Sequence, residues 1–209
     1  MTRQRLLPAC GLFLILVSPL CSAHAQDKPW LLSTPDENAQ RALQGGDRGV
    51  VFVETIVSEK GNDKHCSKME LFLARVPDGI RAHVQTRIVP LLPGFGKTLG
   101  GAIGLLPGDY IVTGISCMPL NQNIVFNGPH ANLRIRVGEI VDAGAIRLDV
   151  RGREGFIPQT TFIHRSVEPL TPEVVAYFKE EYPKTFSRAV KRPLHLAGPA
   201  DVQYKGIGF

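Results

Sequence analysis

The chain has no stretch after residue 25 that stays apolar for the about 20 residues a membrane-spanning helix needs, which excludes an integral helical protein. It has no CxxC pair among its four cysteines, so a thioredoxin-like redox site lacks its motif. Histidines at 65, 83, 130, 164 and 195 are scattered, and none is paired at zinc spacing. There are no internal repeats, and a formal net charge of +5 on 209 residues is too mild to demand a nucleic-acid partner. No cofactor motif is complete. "PGFGKTLGGAIG" ends like a phosphate loop at Gly96-Lys97-Thr98, but Leu91 stands where the motif needs its first glycine. "GISCM" begins like a nucleophile elbow, yet Met118 replaces the closing glycine, so Ser116 reads as an ordinary strand residue.

What is present begins with a leader. Arg3 and Arg5 precede an apolar run from Leu12 to Leu20, and Ala23-His24-Ala25 is a small-x-small cleavage pattern. Residues 1–25 therefore read as a secretory signal peptide. Cys21 offers a lipid-anchored alternative, but Leu20 sits where lipoprotein processing wants a small residue. Removing the two leader arginines leaves a net charge of +3. Cys10 and Cys21 leave with the leader. Cys66 and Cys117 remain, and two cysteines in an oxidising compartment predict one structural disulfide. The expected location is the periplasm of a Gram-negative-type bacterium.

Residues 26–48 hold a short helix and a linker. Thr34 is a good N-cap, Pro35 suits the first helical position and Glu37 completes a capping box, with Gly45 and Gly46 as the stop. From Gly49 the period changes to two. "VVFVETIV" is a strand rich in β-branched residues. "SKMELFLARV" puts Met69, Leu71 and Leu73 on one face. "IRAHVQTRIV" is predicted as a single strand, with Ile80, Ala82, Val84, Thr86 and Ile88 dry and Arg81, His83, Gln85 and Arg87 wet. Tyr110 to Met118 is a strand whose Ile111, Thr113, Ile115 and Cys117 share a face, so Cys117 points inward. "NIVFN", "ANLRIRV" and "EIVDAGAIRLDV" follow, the last with a bulge near Gly144. No helix is long enough to cross between parallel strands here. The expected fold is mainly β: an antiparallel β-sandwich of about seven strands over residues 49–152. Residues 153–209 are expected to form a C-terminal helical segment and a loose tail. There Thr171 caps, Pro172 opens the helix, and Val174, Val175, Phe178, Tyr182 and Phe186 form an apolar stripe that Pro183 must break.

The stretch from "LLPGDYIVTGISC" through "LRIRVGEIVDAGAIRLDV", Leu105 to Val150, resembles the transthyretin-like, carboxypeptidase-regulatory-like sandwiches of exported bacterial proteins and lipoproteins. The shared pattern is a Pro-Gly-x-Tyr strand, a strand ending in Gly-Glu, and an apolar strand after a further glycine. The resemblance implies a prealbumin-like or Ig-like sandwich that binds or supports rather than catalyses. It carries over no functional residue.

Two features are candidate contact surfaces. The segment Leu91–Leu106 carries one charge and many large apolar residues on a glycine-rich chain, and reads as a long pliable loop whose Leu92, Phe95, Lys97, Leu99 and Ile103 meet a partner. Arg81, Arg87, Arg134 and Arg136 lie on wet strand faces and would form a basic patch if those strands are neighbours. Lys184, Arg188, Lys191 and Arg192 crowd the end of the last helix, where the dipole favours cations. The function expected is a non-enzymatic exported envelope protein, a binding or accessory module for another envelope protein, a glycan or a lipid surface. The alternatives are a hydrolase or metal-dependent enzyme whose residues, among them His130 and His164, converge only in three dimensions, and a structural part of an envelope or secretion assembly.

Overall fold

The computed structural model of the chain describes residues 34–59, 62–63, 66, 68–85, 88–92, 95–98, 100–118, 124–154 and 160–205. The predicted leader lies outside them. In chain order the elements are α1 (Pro35–Gln44), β1 (Gly49–Glu59), β2 (Asn62–Asp63), β3 (Lys68–Val76), β4 (Arg81–Gln85), β5 (Ile88–Leu92), β6 (Phe95–Thr98), β7 (Gly101–Leu105), β8 (Gly108–Met118), β9 (Ile124–Ile135), β10 (Ile140–Glu154), β11 (Thr160–Glu168), α2 (Pro172–Glu181), α3 (Pro183–Phe186), β12 (Val190–Lys191), β13 (His195–Leu196) and β14 (Asp201–Lys205). The fold is mainly β.

Two sheets carry the core. One runs β14-β11-β10-β1-β2, with β12 also paired to β10 and β7 also paired to β1. The other runs β13-β9-β8-β3-β4, and β5 with β6 forms a separate two-stranded ribbon. The inner faces of the two sheets share one apolar cluster, to which β3 gives Met69, Leu71 and Leu73, β8 gives Tyr110, Val112, Ile115 and Cys117, and β10 gives Ile146, Leu148 and Val150. The arrangement is sandwich-like. A second cluster lies on the opposite face of the first sheet, where Val50, Phe52 and Ile140 meet Ala39 of α1, Val174 and Phe178 of α2, and Phe186 of α3.

This third layer explains β1. Val51, Val53 and Val57 face the other sheet, while Val50 and Phe52 face the helices. Alternation brings one apolar residue to each side in turn, so the strand reads as an almost continuous apolar run. Strands buried on both faces go with parallel pairing, and β1 pairs parallel to β10 over Val50↔Ile140 to Glu59↔Val150. The purely antiparallel sandwich expected from the sequence is corrected on this point: the first sheet is mixed, and only the second is antiparallel throughout.

Other departures are local. The run predicted as one strand over 80–89 divides into β4 and β5, and Ile80 is exposed. The stretches predicted as two strands, "NIVFN" and "ANLRIRV", are joined from Ile124 to Ile135 in one strand, β9. In β8 the register slips at Thr113, which has no partner in β3 or β9. Tyr110, Val112, Ile115 and Cys117 are therefore the residues β8 gives to the apolar core, and Thr113 is exposed. The first sheet also runs on past residue 152: β11 and β14 pair antiparallel over Thr160↔Lys205 to His164↔Asp201. The tail expected to be loose is thus an edge strand as far as Lys205.

The helical layer is fastened by two buried carboxylates. Glu54 of β1 accepts hydrogen bonds from Thr171 N (2.8 Å) and Thr171 Oγ1 (3.0 Å), which sets the start of α2 on the sheet. Asp36 of α1 accepts from Thr185 N at 3.0 Å, Lys184 N at 3.4 Å and Gln40 Nε2 at 2.8 Å. These backbone donors belong to the first turn of α3, whose own N-cap, Tyr182, makes no side-chain cap bond. Asp36 therefore caps a second helix from a distance. Burial alone would raise its pKa, but the hydrogen bonds from Thr185, Lys184 and Gln40 outweigh that and hold it below 3.8. A carboxyl depressed in the folded state stabilises the fold above its unfolded pKa, and that contribution is lost as pH falls through the folded value. Asp36→Asn keeps Oδ1 as an acceptor but loses the charge and the Oδ2 that accepts from Lys184 N and Gln40 Nε2, and is expected to lose about 1–2 kcal/mol at neutral pH, the scale of a hydrogen bond to a charged group. The difference from wild type should persist down to pH 3.8 and close below it. Urea unfolding of both proteins across pH checks this, and a deficit independent of pH would contradict it.

Candidate functional site

One groove combines concavity with charge. The outer edge of β10 changes partner along its length: β12 pairs at Val141 and Asp142, and β11 pairs only from Ala145 onward. Between them Gly144 turns at φ +74°, and a Cβ there would lie 2.5 Å from the carbonyl oxygen of Glu168. Only glycine fits that turn and that approach. Over the gap lie α2, α3 and the segment leading into β12. The space enclosed is about 500 Å3, within the roughly 300–1,000 Å3 usual for small-molecule sites.

The floor is apolar: Leu170, Val175, Phe186 and Ala189 line it together with Val167 and Pro169. It opens onto the second core, where Phe52 packs edge-on against Phe178, Tyr182 and Phe186 at 4.9, 5.1 and 4.9 Å between ring centroids. Four ionisable groups stand around it: Asp142, Glu168, Lys179 and Lys191. The two carboxylates are engaged. Asp142 Oδ1 accepts the Gly144 N–H at 3.0 Å. Glu168 accepts from Ser166 Oγ at 2.8 Å and pairs with Arg147 Nε at 3.2 Å. The two lysines are exposed, and neither has an ion-pair partner among the described residues. The groove therefore offers an apolar floor with free cations at its mouth. A second cleft of about 390 Å3 lies between α1, β7 and Tyr182. Its walls are almost wholly neutral.

The residues expected to form contact surfaces are dispersed. The segment expected to be a loop over Leu91–Leu106 is mostly strand: it ends β5 and supplies β6 and β7. β7 pairs antiparallel with β1 over Gly49↔Leu105 to Val53↔Gly101, and its Gly104 lets α1 approach, since a Cβ would meet the Ala42 Cβ at 2.8 Å. Ile103 is half-buried against the main core and lines the second cleft. Leu92, Phe95 and Lys97 have described backbone only, and Leu99 lies outside the described residues. Gly96-Lys97-Thr98 belongs to a strand, not to the loop before a helix that a phosphate site requires.

The basic face is also corrected. Arg81 is on edge strand β4, and β3 and β8 separate it from β9, which carries Arg134 and leads to Arg136. Arg134 is further offset by Asp109, 3.6 Å away. Arg87 lies outside the described residues. Arg192, read as one of the helix-end cations, forms a two-pronged pair with Glu139.

Of the histidines, His130 is fully buried, with Nε2 2.8 Å from the Phe126 carbonyl oxygen. Burial, aided by the nearby Arg165 charge, lowers its pKa from 6.5 despite that hydrogen bond. Arg165 is itself buried, and its guanidinium donates to the carbonyl oxygens of Pro129 and Pro199, tying β11 to β9 across the sandwich. His164, the next residue back, points to the other face of β11 and lies 3.0 Å from Asp201. The two histidines are not brought together. A polar row that the sequence reading missed crosses the outer face of the first sheet: Ser58, Asp149, His164 and Asp201 occupy matched registers on β1, β10, β11 and β14. Ser58 Oγ donates to Asp149 Oδ1 at 3.0 Å rather than to the histidine, so the row is a chain of ordered polar pairs and not a nucleophile with its base. Among the described residues no three His, Cys, Asp or Glu side chains are placed to hold a metal ion, and no helix is long and apolar enough to cross a membrane.

Cys66 and Cys117 are bonded, with 5.4 Å between their Cα atoms.

No family model and no curated protein matches the chain. Among solved structures, a leucine-rich repeat protein from Bacteroides thetaiotaomicron VPI-5482 is 8% identical over 50% of this chain, at a TM-score of 0.35. The chain spans only 14% of that protein's length. A likeness at that level carries no argument about fold or function. The resemblance to transthyretin-like domains over Leu105–Val150 is corrected: no family model and no curated protein of that type matches the chain. The physical reason is that Pro-Gly-x-Tyr and Gly-Glu mark where turns give way to strands, which many hairpins require.

Proposed function

We propose that this chain is a non-enzymatic, exported protein of the bacterial envelope, acting in the periplasm as a binding module, with the groove at the β10 edge as its site. The observation that carries the reading is the groove itself: an apolar floor open to an aromatic cluster, with two exposed lysines at its mouth that have no ion-pair partner among the described residues. Export is supported by the leader pattern of residues 1–25 and by a buried cysteine pair of the kind that persists where the environment is oxidising. The competing hydrolase reading is weakened by geometry. His130 is enclosed between the sheets, while His164 projects from the opposite face of its strand.

Purified from the periplasmic fraction and weighed intact under native conditions, the chain is expected to carry a bound small molecule. Ala189→Trp, which fills the groove, should abolish that adduct and leave the fold intact by circular dichroism. Failure to appear in the periplasmic fraction would refute the location. An adduct unchanged in Ala189→Trp would refute the site.

A further inference from the structure

We propose that the groove takes a single-chain amphiphile ending in a carboxylate, a fatty-acid-like anion, with its head between Lys179 and Lys191 and its chain over Leu170, Val175 and Phe186. The inference rests on the binding reading above and adds the ligand class.

Three observations point the same way. The floor is built of aliphatic and aromatic side chains, and Leu170 and Phe186 also belong to the second core. A hydrocarbon chain lying there extends a cluster that already excludes water, so each further CH2 buried there favours binding. The charges are separated from that floor: both lysines are exposed, so they stand at the mouth and not in the depth. The charge balance then selects an anion. Glu168 is neutralised by Arg147, and Asp142 is held by the Gly144 N–H. Lys179 and Lys191 have no ion-pair partner among the described residues, and Asp142, which keeps its charge, offsets one of them; the mouth is left with one positive charge in excess, which a carboxylate completes and a quaternary ammonium opposes.

The test uses the mature chain with dodecanoate, dodecanol and dodecyltrimethylammonium, each below its micelle concentration. Calorimetry gives affinity, and amide shifts of Val175 and Ala189 give position. Dodecanoate is expected to bind at least tenfold more tightly than dodecanol, and the cation to bind weakest. The double variant Lys179→Glu, Lys191→Glu should lose about tenfold in dodecanoate affinity and leave dodecanol unchanged, a loss of about 1.4 kcal/mol. Added salt should weaken dodecanoate selectively. Equal affinity for dodecanoate and dodecanol, or an unaffected double variant, would overturn the carboxylate while leaving a groove that binds apolar chains. No binding of any of the three, with no shift at Val175 or Ala189, would overturn the amphiphile and the groove together.

Discussion

Replacing Cys66 and Cys117 together by alanine lowers the free energy of unfolding by roughly 4 kcal/mol. The bond spans 51 residues, and a cross-link of that reach removes much of the freedom of the unfolded chain. It joins strands that the sheet already pairs. Cys66 lies just before β3, and Cys117 in β8 sits opposite Met69. The constraint therefore acts chiefly on the unfolded state, where β3 and β8 would otherwise have to find each other. Both sulfurs are fully buried, 0% and 1% exposed, so a single substitution would leave a free thiol in the core. The double variant gives the cleaner comparison. Urea unfolding of that variant, beside wild type with and without a reducing agent, measures the loss. Reduced wild type should match the variant, and a loss below about 1 kcal/mol would mean that the unfolded chain already holds the two segments together.

How much of this was legible in the sequence depended on whether one local window held the answer. The capping box of Thr34 and Glu37 and the Pro172 start of α2 are complete within a turn, and both stand as predicted. Met69, Leu71 and Leu73 alternate without interruption and are buried together. Where one residue breaks the period, reading by alternation fails: the slip at Thr113 puts Val112 inside in place of Ile111. Gly101 and Gly104 give β7 the look of a loop, although Gly104 is what allows the strand to lie under α1. Cys117 was placed inside correctly, because it follows the slip in step with Ile115. The groove was not legible at all. Its residues come from the β10 bulge, the end of β11, α2 and the approach to β12, and no short window contains more than one of these. Lys191 looked like one more cation at a helix end. Its position at a mouth depends on β12 joining β10 in parallel, a long-range pairing that leaves no local trace.

Phe52→Ala is the second large effect, about 4 kcal/mol, in the range for removing a buried phenylalanine. Its consequence should be unevenly distributed. Phe52 is fully buried and faces the helices, with Phe178, Tyr182 and Phe186 arranged edge-on around it. Its neighbours Val51 and Val53 face the other sheet and are untouched by the change. The cavity therefore opens between the first sheet and the helical layer, while the contact between the two sheets is preserved. Hydrogen exchange should accelerate most in α2 and α3, less in β1, and least in β3 and β8. Phe186 also lines the groove, so ligand affinity should fall with helix protection, in proportion to the population in which the layer is loosened. Phe52→Leu keeps most of the volume and should recover most of both. If Phe52→Ala instead accelerated exchange equally in β3, β8 and the helices, the two cores would be unfolding as one unit, and the helical layer could not serve as a separately adjustable wall of the groove.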